Sequence, residues 1–194
     1  GVQTCALPIC KIHNQVFDKI INSGITSIYK NYWTLNENDK LKALSEISGY
    51  VSSKDFDDEI TISTLESIQA MKSIQQKNGE SGCNRYIISN NESALNVMET
   101  LSMFRLIGWE NPTVDIVPLF ESVNDLQNAH LILDQLYTND YYRNHLKSRG
   151  DKQIVMLGFS DGTKDGGYLM ANWSIYKAKE MISEISKNRG IKVV

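Results

Sequence analysis

An apolar run, Gln153-Ile-Val-Met-Leu-Gly-Phe159, leads directly into Ser160-Asp-Gly-Thr-Lys-Asp-Gly-Gly167, a turn that sets two acids and a lysine among glycines. A buried strand needs no charge at its end, and glycines let backbone approach a ligand closely. Asp161, Lys164 and Asp165 therefore mark a candidate site for an anion. Lys164 follows Asp161 by three residues, which puts both on one side of a tight turn or a first helical turn. Its ammonium could meet a phosphate, carboxylate or bicarbonate oxygen as a point charge. The competing reading is a solvated lysine, or one paired with Asp161 or Asp165. A second apolar run, Val114-Asp-Ile-Val-Pro-Leu-Phe120, ends on Glu121. Glu121 and Asp161, arriving from separate strand ends, make a candidate site for a hard cation, Mg2+ or Mn2+, which takes oxygen ligands and commonly one or two protein carboxylates. Each acid could equally cap the helix that follows it.

The elements that must position these residues are legible from periodicity. Up to residue 84 the chain reads as helices joined by polar loops, with Val16, Ile20 and Ile21, then Leu41, Leu44 and Ile47, then Leu65, Ile68, Met71 and Ile74 at helical spacing. From residue 85 the pattern alternates. Tyr86–Ser89 is a short buried strand, and Asn90 or Asn91 caps a helix with the stripe Ala94, Val97, Met98, Leu101 and Phe104, ended by Gly108. The strand from Val114 follows, and Pro118 predicts that it ends or bulges there, because proline donates nothing to a ladder. Ser122 and Asp125 have capping-box spacing for the next helix. A shorter helix spans Tyr141 to Lys147, then come a strand from Gln153 to Phe159, a long helix from about Gly167 to Asn188, and a strand from Ile191 to Val194. Apolar strands alternating with helices imply a parallel sheet covered by helices. The loops after such strands gather on one edge, which brings Asn90, Asn91, Glu121, Ser160 and Asp161 to one place.

Composition narrows the function classes. At 194 residues with 41% hydrophobic content the chain can bury a core. A net charge of -3 and the lack of a basic patch interleaved with aromatics argue against nucleic acid, and no apolar run is long enough to span a membrane. Of the three cysteines, Cys5 and Cys10 fall at the foreign-looking start and are set aside; Cys83, in a loop without a nearby histidine, reads as structural, and a single secure native thiol in an acidic chain argues for a reducing, cytoplasmic setting. There is neither a Walker A loop nor a dinucleotide-binding glycine pattern. His13, His130 and His145 fall on three separate helices and are assigned no catalytic role; Trp33, Trp109 and Trp173 read as packing residues.

The turn and its helix resemble the signature of phosphoenolpyruvate carboxylase, whose usual form is Gly-Tyr-Ser-Asp-Ser-x-Lys-Asp-x-Gly followed by a long helix with a Trp and a Tyr-Lys-Ala segment. Here the helix reads Tyr168-Leu-Met-Ala-Asn-Trp-Ser-Ile-Tyr-Lys-Ala-Lys-Glu180. Val117-Pro-Leu-Phe-Glu121 with Asp125-Leu-x-Asn-Ala129 resembles the family's Pro-Leu-Phe-Glu-Thr segment, and Tyr86-Ile-Ile-Ser89 its preceding strand. The departures are Phe159, Gly162, Thr163 and Gly166, which leave the charged positions unchanged. The resemblance implies an α/β fold, a fragment of a helix-rich (β/α)8 TIM-type barrel with a helical N-terminal part and about four parallel strands. It implies Glu121 and Asp161 as carboxylates for Mg2+ or Mn2+, Lys164 as an active-site lysine, and phosphoenolpyruvate and bicarbonate as substrates giving oxaloacetate and phosphate. A homo-oligomeric parent is implied too, with the family's catalytic histidine and its Gly-Arg-Gly-Gly loop outside this chain. Two other readings stand beside it: another metal-dependent barrel enzyme on a phosphorylated or enolisable acid, and a non-catalytic scaffold remnant.

The ends of the sequence carry expectations of their own. Gly1-Val-Gln-Thr-Cys-Ala-Leu-Pro-Ile9 back-translates to a common sequencing-adapter oligonucleotide whose last base would begin the codon of Cys10, so residues 1–9 read as foreign. Gly190–Val194 reads as the beginning of a strand, which predicts a piece of a longer enzyme, inactive alone. The expected division is residues 10–84, mainly helical, and residues 85–194, a partial barrel carrying the metal-site motifs.

Overall fold

The strand β2 (Asp115–Phe120) lies at the middle of the molecule, with β1 (Arg85–Ile88) on one side and β4 (Met156–Leu157) on the other, all parallel. The computed structural model describes residues 9–28 and 30–194, with residues 30, 160–162, 165 and 166 described in backbone only. The adapter reading therefore falls outside the described residues except at Ile9, which opens a helix.

Helices α1 (Ile9–Ser23), α2 (Glu37–Glu46) and α3 (Glu59–Asn78) precede β1, and among the described residues no strand precedes Arg85. Each forms for a local reason. α2 and α3 start on Asn36 and Asp58, whose side chains accept the backbone N–H of Asp39 and Thr61. α1 buries Val16, Phe17, Ile20 and Ile21 on one face. α4 (Ala94–Leu106) runs between β1 and β2 and is buried on nearly every side; it packs against α1, α2 and β2. α5 (Val123–Thr138) and α6 (Asp140–Ser148) follow β2, and α5 packs along α7 (Ser160–Asn188). Among the described residues no helix is long and apolar enough to cross a membrane.

Among the described residues the strands do not form the barrel expected from the resemblance. The strands form two small open sheets, ordered β1-β2-β4 and β3-β5, with β3 at Lys152–Gln153 and β5 at Lys192–Val193. The fold is mostly helical. A (β/α)8 barrel needs eight strands tilted and staggered until the last pairs with the first, and the described strands are too few and too short for that closure.

The strand expected over 153–159 is divided because the chain changes partners along it. Lys152 and Gln153 pair with Lys192 and Val193, whereas Met156 and Leu157 pair with Leu119 and Phe120. Between the two, the Gln153 side chain supplies what the ladder does not. Its Nε2 donates to the Ile116 carbonyl at 3.1 Å, and its Oε1 accepts from the Tyr142 hydroxyl at 2.8 Å, both in the interior. Pro118 also behaves differently from expectation. β2 runs straight through it: Pro118 stays in register with Ile88 of β1, and β4 joins on the opposite side from Leu119. The tryptophans divide as well: Trp109 packs against Phe104, while Trp33 and Trp173 are 39% and 56% exposed.

Tyr142 is fully buried, and removing its hydroxyl leaves the Gln153 carbonyl oxygen without that donor. Tyr142→Phe is expected to lower the unfolding free energy by about 1–3 kcal/mol, read from urea denaturation, with little change in the slope of the transition.

Candidate functional site at the strand ends

β2 is buried along almost its whole length and delivers Glu121 at its C-terminal end. The next residue, Ser122, caps α5 in a reciprocal box. The Ser122 N–H donates to Asp125 Oδ2 at 3.0 Å and the Asp125 N–H donates to Ser122 Oγ at 3.1 Å. Capping is thus done by Ser122 and Asp125, which leaves the half-buried carboxylate of Glu121 for another purpose. Glu121 Oε2 accepts the Asn90 N–H at 3.0 Å.

Asn90 reaches this position by turning. Its φ of 56° lies in the left-handed region that asparagine tolerates, and the turn folds the end of β1 over the end of β2. The Asn91 N–H then donates to the Leu119 carbonyl at 3.3 Å. On the other side the Gly158 N–H donates to the Phe120 carbonyl at 2.7 Å. A Cβ at Gly158 would lie 3.2 Å from Glu121 Cα and 3.3 Å from the Phe120 oxygen, so glycine is what lets the end of β4 come this close.

The start of α1 closes the same edge. The Ile9 N–H donates to Ser89 Oγ at 3.0 Å and the Cys10 N–H to the Ser89 carbonyl at 3.3 Å. Cys10 is buried, and its thiol is pushed up to about 12 by burial first and then by Glu99, Glu92 and Glu121. A helix N-terminus facing carboxylates is a favourable electrostatic arrangement.

Asp161 and Lys164 lie in the first turns of α7, ahead of a break at Gly167, whose φ of 79° and ψ of 167° interrupt the helix. The residues from 160 to 166 are therefore a separate short turn after β4, and the long helix expected from Gly167 does begin at that break. Lys164 is exposed; for Asp161 the structure describes the backbone. The structure thus brings Asn90, Glu121 and Gly158 together at the strand ends, with the Asp161 and Lys164 turn following directly from Gly158 and Phe159. Among the described residues no group of three or more histidines, cysteines, aspartates or glutamates could hold a metal ion. A cavity of about 600 Å³ lies nearby between α7 and β5, but its walls are mainly apolar, with Val155, Leu157, Ile175 and Val193 among them, and offer little chemistry.

Two features of the edge were not apparent from the sequence. One is the use of a backbone N–H, that of Asn90, to hold Glu121; the Asn-Asn pair after an apolar strand was its trace. The other is Asn91, which is completely buried with neither side-chain polar atom hydrogen-bonded to protein.

A family model described as phosphoenolpyruvate carboxylase matches residues 9–194. The chain belongs to the phosphoenolpyruvate carboxylase family. Phosphoenolpyruvate carboxylase of Nitrosomonas europaea is 31% identical over 194 residues, covering 94% of this chain and 21% of the relative. That of Corynebacterium diphtheriae is 41% identical over 107 residues, covering 55% of this chain and 12% of the relative. That of Thermosynechococcus vestitus is 34% identical over 168 residues, covering 83% of this chain and 16% of the relative. The chain spans at most about a fifth of the length of these phosphoenolpyruvate carboxylases.

Gly158→Ala forces the end of β4 away from Glu121. The expected result is a loss of about 1–3 kcal/mol in unfolding free energy and faster amide exchange at Asn90, the donor to Glu121, measured by NMR.

Proposed function

We propose that this chain is the segment of a phosphoenolpyruvate carboxylase that supplies Glu121, Asp161 and Lys164 to the active site. The whole enzyme adds bicarbonate to phosphoenolpyruvate and releases oxaloacetate and phosphate, with Mg2+ or Mn2+ bound, in a homo-oligomer. The observation that carries the reading is the state of Glu121. It ends a buried parallel strand, leaves capping to Ser122 and Asp125, and is oriented by the Asn90 N–H. Membership of the family supports it.

The donor set is suited to a hard cation, which takes oxygen ligands and completes its shell with water and substrate oxygens, so one or two carboxylates suffice. Glu121 and Asp161 would be those ligands. Such an ion would act as a Lewis acid toward substrate oxygens and stabilise negative charge as it develops. Accepting one hydrogen bond at Oε2 leaves Oε1 and the second lone pair of Oε2 for coordination, and the Asn90 N–H fixes the direction of the carboxylate. Lys164, on the exposed turn, would place the anionic substrates as a point charge. Phosphoryl charge is too large for these groups alone, so the remaining neutralising residues come from the rest of the enzyme, and the separate segment is inactive.

The test is made in a full-length enzyme carrying this segment. Glu121→Gln keeps the shape and the hydrogen bond but weakens cation binding; kcat/KM for phosphoenolpyruvate is expected to fall on the order of a hundredfold or more, with partial recovery at high Mn2+. Activity unchanged by Glu121→Gln overturns the assignment of the site. Phosphate release by the 194-residue chain alone, given phosphoenolpyruvate, bicarbonate and Mg2+, overturns the view that the segment is incomplete.

A further inference from the structure

Asn91 is completely buried, yet neither its amide oxygen nor its amide nitrogen meets a hydrogen-bond partner. Two other interior polar side chains show the usual arrangement. Gln153 bonds both Tyr142 and Ile116, and Glu99 of α4, 3% exposed, accepts the Tyr32 hydroxyl at 3.0 Å. Enclosing an amide without partners costs free energy that an apolar side chain of similar shape avoids. At Asn91 that cost falls on one short stretch of chain, the turn from β1 to α4.

The turn is fastened at both ends and lightly held between them. At its start the first residues of α1 hold Ser89: the Ile9 N–H donates to Ser89 Oγ and the Cys10 N–H to the Ser89 carbonyl. At its end Asn96 Oδ1 accepts the N–H groups of Glu92 and Ser93, each at 3.1 Å, which fixes the entry to α4. Between these points two hydrogen bonds tie the turn to the end of β2, from the Asn90 N–H to Glu121 Oε2 at 3.0 Å and from the Asn91 N–H to the Leu119 carbonyl at 3.3 Å. Asn90 itself sits at a φ of 56°, a conformation asparagine enters and leaves at small cost.

We infer that Asn90 and Asn91 form a strap over the end of β2 that is poised to open: closed, it orients Glu121 and encloses the unmet Asn91 amide; open, it gives that amide to water and releases Glu121. Rotation about Asn90 breaks both bonds to the strand end and leaves the two fastenings intact. The Asn91 side chain sets the balance, because its burial subtracts from the closed form alone. The consequence for chemistry rests on the function proposed above. A cation held by Glu121 binds better when the Asn90 N–H fixes the carboxylate, so it draws the strap down by that difference in affinity.

The experiment is native-state amide exchange in low urea on the 194-residue chain and on Asn91→Leu, which keeps bulk in the interior and removes both unmet atoms. In the wild type, Asn90 and Asn91 are expected to exchange through a local opening that urea does not promote, while the β2 amides paired with β1 exchange through global unfolding. Asn91→Leu should slow exchange at Asn90 on the order of tenfold or more and raise the urea midpoint. Asn91→Ala removes the same two atoms without adding bulk; it should shift both readings the same way and carries the test if the leucine variant does not fold. Exchange at Asn90 that follows the β2 amides in the wild type, or that is unchanged or faster in the variants, overturns the strap. In a full-length enzyme carrying this segment, Asn91→Leu is expected to lower the Mn2+ concentration for half-maximal activity several-fold; an unchanged value overturns the link to Glu121. Exchange is read without any cation, so its failure is distinct from failure of the site assignment, which Glu121→Gln tests.

Discussion

β2 is buried and has neighbours on both sides, so its backbone must find hydrogen-bond partners in two directions without water. Much of the molecule is arranged around meeting that demand. β1 serves residues up to Pro118 on one side, and the turn beyond β1 then reaches over so that Asn91 bonds Leu119. On the other side β4 serves Leu119 and Phe120, Gly158 finishes Phe120, and the Gln153 side chain covers Ile116 where no strand is paired. The same contacts that satisfy the backbone also gather the strand ends around Glu121. Site geometry and backbone satisfaction are one arrangement.

The two ends of β2 handle charge differently. At its start, Asp115 is 4% exposed and is met by Arg149 at 2.8 Å and Lys152 at 3.1 Å, with Arg149 also bound to Glu80 at 2.7 Å. Burying a carboxylate is tolerable when cations and hydrogen bonds accompany it, and stripping one partner from such a group typically costs about 3–5 kcal/mol. At the other end Glu121 is met by a backbone amide. That end is less enclosed, and it sits beside the turn with the remaining charged residues of interest. The two acids thus differ in their surroundings, one enclosed by cations and the other half-buried against a backbone amide, although both belong to the same stretch of chain.

Local features were readable from sequence because they depend on residues a few positions apart. The Ser122 and Asp125 box, the apolar stripe of α4, the parallel pair β1 and β2 and the turn at Gly108 appear close to where spacing places them. The features that were not readable depend on distant partners. The strand over 153–159 is divided because its two halves pair with β5 and β2, which lie far from it in sequence. Pro118 sits within β2, in register with Ile88 of β1, a pairing that also joins residues far apart in sequence. Closure into a barrel was carried over from the family signature and could not be tested by any pattern within these residues. Glu99 left a fainter trace: a helix apolar on most sides has nowhere to put its one acid except inside. For the site, Glu121 could be separated from a capping role once the geometry was known, while the sequence alone left both roles open.

The break at Gly167 bears on which sequences the protein can adopt. Apart from its own chain neighbours and nearby helix backbone, nothing lies within 4 Å of the place a Cβ would occupy, so there is room for a side chain, yet the conformation is one that residues with a Cβ avoid. The position is restricted by handedness and not by crowding. Neighbouring Leu169 is exposed, and Tyr168 meets Phe159 edge-on with ring centres 5.9 Å apart, so neither is held by backbone conformation in this way. Further along the helix Ala171 and Ala178 are held by burial, whereas the boundary between the charged turn and its supporting helix is held by chirality itself.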